Sequence, residues 1–171
     1  MLIELKKGEP EFEGVFFCSK ALAKEGKIST PITNLEVKDN WMAATDGRRL
    51  HVYFLRTRWS DGLYRPLKIT RTHIILHKEE ENGKFPDWLG VFPEHRNYKD
   101  VRVSPDANML MASLIRNVDS ENITFRFSYL EDALEPYKGG FRTAYIYTSK
   151  PGLPVLLEGP ERLAMIMPMK G

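Results

Sequence analysis

The side chains with the most potential for chemistry sit in one short run, HIILHKEEE, from His73 to Glu81. Two histidines four residues apart, followed by Glu79, Glu80 and Glu81, have the composition of a metal centre. The spacing argues against one. The surrounding ITRTHIILHK is rich in β-branched residues and reads as a strand, where four residues span about 13 Å, too far for a single ion. Strand histidines beside a solvated acidic turn are the expectation. Asp46 and Asp87 are isolated carboxylates in turn contexts, where capping backbone N–H groups is the usual role. Cys18 is the single cysteine; it reads as a small buried hydrophobe and rules out an intrachain disulfide. There is no G-x-G-x-x-G, no P-loop and no G-x-S-x-G. No catalytic residue, metal ligand or cofactor is expected.

The elements that must position any site are short. The 171 residues are 42% hydrophobic and 28% charged, which suits one globular domain. With 25 basic and 23 acidic residues the net charge is +2, so no bulk field draws the chain to nucleic acid. The first residues, MLIELKKGEPEFEG, lack the apolar core of a signal peptide and no apolar run could span a bilayer. A cytoplasmic protein is expected.

Val15–Phe17 reads as a strand leading into a helix over CSKALAKEGK, with Ser19 as N-cap and Gly26 as stop. NLEVK and WMAATD form a hairpin bent at Asp39-Asn40. RRLHVYFLR continues as a strand, as does LKITRTHIILHK. Glu79 to Asp100, with its prolines, glycines and aromatics, is a long connection. After it, SPDANMLMASLIRNV shows an apolar stripe behind a Ser104-Pro105 start, predicting a helix. SYLEDALEPYKGG predicts a second helix with a Ser128/Glu131 capping box, an apolar side of Leu130, Ala133, Leu134 and Tyr137, and Gly139-Gly140 as stop. FRTAYIYT, PVLLE and LAMIMPM read as strands, the last two joined at Gly159-Pro160-Glu161. The pattern is α+β: antiparallel sheets with short helices packed on one face, in two similar halves. A single domain over 1–171 is expected, its first half at about 1–78, the connection at 79–100 and the second half at 101–171.

Four stretches carry a resemblance. ATDGRRL (Ala44–Leu50), GKFPDWLGVFP (Gly83–Pro93), FSYLEDALEPY and the C-terminal LAMIMPMK resemble, in order, motifs of the bacterial DNA polymerase III beta subunit, the sliding clamp family. The resemblance implies a DNA-clamp-like domain and a replication processivity factor. It also implies a hydrophobic pocket for short peptides of polymerases and other DNA enzymes. Carried over by position, Thr45, Gly47, Arg48, Arg49 and Leu50 would form one wall, Pro86 and Val91 the floor, and Met165, Met167, Pro168 and Met169 the other wall. The residue types suit such a pocket. A glycine permits close backbone approach, methionines line adaptable apolar sites, and an arginine can hold a carbonyl or carboxylate.

Departures are visible. Family chains have three similar domains and close as pairs around duplex DNA, whereas this length suits one domain with an insertion. Arg48 stands where the family has histidine, and the end reads MPMKG instead of finishing on arginine and leucine. A homo-oligomer could close a ring through heterologous contacts. Lys20, Lys24 and Lys27 are spaced to share one side of the expected first helix, where they could face DNA. Against this, the helix from Ser128 carries Glu131, Asp132 and Glu135. Two rival readings stand beside the clamp. One is an adaptor or decoy that binds clamp-interacting peptides without DNA; the other is an enzyme on a clamp-like scaffold using His73, His77 and Glu80.

Overall fold

The computed structural model describes residues 1–24, 31–80, 83–91, 99–103, 126–135, 144–148, 154–159 and 161–169. The chain divides into two units, Met1–Trp88 and Leu89–Gly171. In the first, strands β1 (Leu2–Lys6), β2 (Leu35–Lys38), β3 (Trp41–Thr45), β4 (Arg49–Phe54), β5 (Gly62–Ile69) and β6 (His73–Lys78) form an antiparallel sheet. Their spatial order is β1-β6-β5-β2-β3-β4.

Turn chemistry sets much of this register. Asp39 and Asn40 have φ of 50° and 67°, the left-handed pair that a two-residue hairpin requires, and Lys38 pairs with Trp41 across them. The single strand expected over LKITRTHIILHK is two strands. Thr70 breaks it: its N–H donates to the His73 carbonyl at 2.9 Å while its hydroxyl oxygen accepts from the His73 N–H at 2.9 Å. A bulge between Pro66 and Lys68 bends β5 just before that turn.

Val15–Phe17 is helical, which corrects the expectation of a strand there. Helix α1 (Phe12–Ser19) buries Phe12, Gly14, Val15, Phe17 and Cys18. Ser19 donates its hydroxyl to the Phe16 carbonyl at 2.7 Å, closing the last turn of α1 and not capping the start of a later helix. Cys18 and Ser19 are the last residues of α1, and the helix expected from Cys18 to Lys27 does not continue over Lys20 to Lys24; Gly26 and Lys27 lie outside the described residues. Tertiary packing explains the misreading. Helix α1 lies on β3 and β4, where a Cβ at position 14 would collide with carbons of the Tyr53 ring. Phe17 stacks on His51 at 4.4 Å between ring centroids. The His51 Nδ1 donates to the Phe17 carbonyl at 2.8 Å.

Because strand side chains alternate, register assigns the two faces of this sheet. Leu35, Met42, Ala44, His51, Tyr53 and Tyr64 point to the α1 face, all fully or almost fully buried. Glu36, Ala43, Thr45, Leu50, Val52 and Leu63 point to the opposite face.

In the second unit, β7 (Lys99–Val103), β8 (Ala144–Thr148), β9 (Val155–Glu158) and β10 (Arg162–Ile166) form an antiparallel order β10-β9-β8-β7. The Gly159 N–H donates to the Arg162 carbonyl at 2.8 Å where β9 turns into β10. Helix α2 (Phe127–Leu134) packs toward β10 and buries Tyr129, Leu130, Ala133 and Leu134. Ser128 lies inside α2; Arg126 is the N-cap and no side chain caps it, so the expected capping box does not form. The helix expected from Ser104, and Tyr137, Gly139 and Gly140, fall outside the described residues. Each unit thus combines an antiparallel sheet with a short helix, the α+β plan read from the sequence. Among the described residues no helix is long and apolar enough to cross a membrane.

Candidate functional site

The stretch ATDGRRL forms the β3–β4 turn, and its own side chains hold it. Thr45 donates its hydroxyl to the Arg49 carbonyl at 2.7 Å and accepts from the Gly47 N–H at 3.0 Å. Asp46 Oδ1 accepts from the N–H groups of Arg48 and Arg49 at 2.9 and 3.1 Å, the backbone-capping role expected of it. Gly47 adopts φ of +83°, and a Cβ there would meet nothing within 4 Å, so backbone conformation and not space calls for glycine.

The two arginines have different surroundings. Arg49 Nε sits 3.2 Å from Asp46 Oδ2 with its side chain 11% exposed. Arg48 is exposed. Thr45 and Leu50 are buried and face each other across the ladder.

The segment from Gly83 to Trp88 crosses to the same sheet face. The Glu79 N–H donates to the Leu63 carbonyl at 2.8 Å. Gly83 lies against Pro31 and Leu63, and Phe85 and Trp88 are buried while Pro86 and Asp87 are exposed. The Trp88 Nε1–H donates to Glu36 Oε2 at 3.0 Å. Burial pushes the Glu36 carboxyl above its ordinary value; the Trp88 hydrogen bond and Lys38 oppose this, while Asp87 and Asp61 add to it. Thr45, Leu50 and the segment bearing Pro86 are therefore on one face of the first unit.

In the second unit, Met165 is buried opposite Leu156 on β9. Met167 and Met169, just beyond β10, are 40% and 45% exposed, with Pro168 half-buried between them. Met165 belongs to that unit's core, and the two later methionines offer apolar surface. The Val91 side chain lies outside the described residues.

The lysine stripe is a correction. Helix α1 ends at Ser19, so Lys20 and Lys24 share no helical face. The Lys20 ammonium lies over the Phe16 ring, 5.1 Å from its centroid. His73 Nε2 meets Glu4 Oε1 at 2.8 Å, and His77 Nδ1 lies 3.7 Å from Glu79 Oε1. Among the described residues no three His, Cys, Asp or Glu side chains are grouped to hold a metal ion.

Sequence reasoning missed two features of the first unit's site-bearing face. One is the Trp88–Glu36 bond. The other is an exposed aromatic pair, Trp41 and Phe54, packed edge to face at 5.0 Å. The second had a signal, since hairpin pairing about the Asp46-Gly47 turn puts Trp41 opposite Phe54 at the end of β4.

No protein-family model and no curated protein sequence matches the chain. Solved structures do match. A DNA polymerase sliding clamp from Pseudomonas aeruginosa superposes with a TM-score of 0.63 at 16% identity, covering 100% of this chain and 67% of that one. DNA polymerase III subunit beta from Borrelia burgdorferi gives 0.65 at 14% identity, covering 99% and 64%. The sliding clamp from Bacillus subtilis gives 0.65 at 11%, covering 100% and 64%. The chain spans about two thirds of the length of these clamps, and its fold is that of the bacterial DNA polymerase III beta subunit, the sliding clamp.

Proposed function

We propose that this chain is a sliding-clamp-like replication factor that acts by binding short peptide segments of DNA polymerases and other DNA enzymes. It is read as one clamp-like domain in two halves joined by residues 79–100. The observation that carries the proposal is the self-braced turn Thr45–Leu50, with its exposed Arg48, on a chain whose fold matches clamps from end to end. In the first unit Thr45, Gly47, Arg48, Arg49, Leu50 and Pro86 are the proposed peptide contacts. In the second they are Val91, Met165, Met167, Pro168 and Met169.

Titration of a fluorescein-labelled clamp-binding peptide tests the two groups separately. Leu50→Ala and Met167→Ala should each weaken binding about tenfold, the effect of losing about 1.4 kcal/mol of apolar contact. Absence of binding, or binding indifferent to both changes, would reject the proposal.

A second reading keeps the peptide and drops the DNA: an adaptor or decoy. The loss of the lysine-bearing first helix as far as Lys24, together with Glu131, Asp132 and Glu135 on and just after α2, favours it. Duplex DNA binding that falls steeply with salt would support the clamp over the adaptor. Sedimentation showing only monomer at high concentration would remove a ring.

A further inference from the structure

We infer that Glu36 and Trp88 are positioning residues for peptide capture, pinning Gly83–Trp88 across the sheet face that carries Thr45 and Leu50. This rests on the peptide-binding reading above. Leu63, Glu36, Ala43 and Val52 make one cross-strand row on that face. Thr45 and Leu50 make the next row, about 7 Å further along the strands.

Trp88 is tied to the first of these rows by its indole N–H on Glu36 Oε2. An indole nitrogen only donates and an ionised carboxylate only accepts, so the pairing runs in one sense. Trp88 is 8% exposed and Glu36 is half-buried, which makes removal of either partner costly to the other.

The near end of the segment is held as well. The Glu79 N–H is bonded to β5, and Gly83 abuts the Pro31 ring closely enough that a Cβ would come within 2.9 Å of Cγ. Between these anchors the buried Phe85 and Trp88 flank two exposed residues, Pro86 and Asp87. The place of Pro86 is thus set by Trp88, two residues on. Pro86 is the member of the proposed site that a peptide meets in the right place only while the Glu36 bond holds.

The test uses the full chain and the same labelled peptide, with hydrogen exchange across 83–88 followed on the same samples. Trp88→Phe and Glu36→Ala should each weaken peptide binding about fivefold and speed exchange. Glu36→Gln, which keeps a carbonyl acceptor for the indole, should restore both. Binding within about twofold of the unaltered chain in both Trp88→Phe and Glu36→Ala would overturn the inference. So would failure of glutamine to restore it. If the unaltered chain binds no peptide, the proposed function fails on its own and exchange alone judges the pinning. Faster exchange in the first two variants and normal exchange in Glu36→Gln upholds it, and unchanged exchange overturns it.

Discussion

The two faces of the first unit's sheet are built to different rules. Under α1, Met42, Ala44, His51 and Tyr53 are sealed by a helix that fits closely enough to exclude one methyl group at Gly14. The opposite face is covered by a polypeptide segment, holds a half-buried carboxylate, and ends in the exposed pair Trp41 and Phe54. A sheet needs one well-packed side to be stable. That frees the other to carry groups placed for contact. Thr45, Leu50 and the segment bearing Pro86 lie on it and Gly47 and Arg48 sit in the turn at its end, whereas Arg49 alternates to the α1 side of β4.

The largest expected effect breaks the sealed side. Gly14→Ala should cost about 3 kcal/mol, the upper range for overpacking a tight contact, because the Tyr53 ring must move. Urea unfolding measures it, and a cost below about 0.5 kcal/mol would show that the helix face gives way easily. Next, Asp46→Ala should cost about 1–2 kcal/mol, since the Arg48 and Arg49 amides lose their acceptor. Peptide affinity should fall with it; a stability loss with full affinity would separate the turn's bracing from binding.

The smallest effect sharpens the contrast. Because burial raises the Glu36 carboxyl, the stability it contributes is fully present below the ordinary carboxyl range. It is lost as pH rises through the raised value. Lys38, Asp87, Asp61 and the Trp88 N–H are the groups that face this carboxyl and modulate it. The wild-type chain should therefore lose stability relative to Glu36→Gln as pH climbs from about 4.5, and the difference should level off above the raised value. Thermal melts across pH measure this. The opposite slope would mean that the Trp88 bond outweighs burial.

Locally coded features were legible in the sequence. The Asp39-Asn40 bend declares itself because few residues accept two successive positive φ angles. ATDG was readable as a turn because glycine takes its single positive φ without strain, and the α2 helix for its apolar spacing. Features decided at a distance were not. Val15-Phe16-Phe17 has strand-like composition, and only a tyrosine 39 positions after Gly14 makes the helix the better packed solution. Trp88 and Glu36 lie 52 residues apart, and neither has a neighbour that betrays the bond. The Thr70 bend inside LKITRTHIILHK was missed because its signal is one hydroxyl, not a glycine or proline.

The interior thiol carries a practical consequence. Cys18, the chain's one cysteine, is fully buried in α1, and its Sγ lies 3.7 Å from the Met42 carbonyl and 3.8 Å from that of His51. An aromatic disulfide reagent reaches it only when α1 lifts from the sheet, so the rate of colour release becomes a clock for opening of that side alone. A dye-bearing cysteine placed elsewhere on the surface would be labelled without first removing the native one.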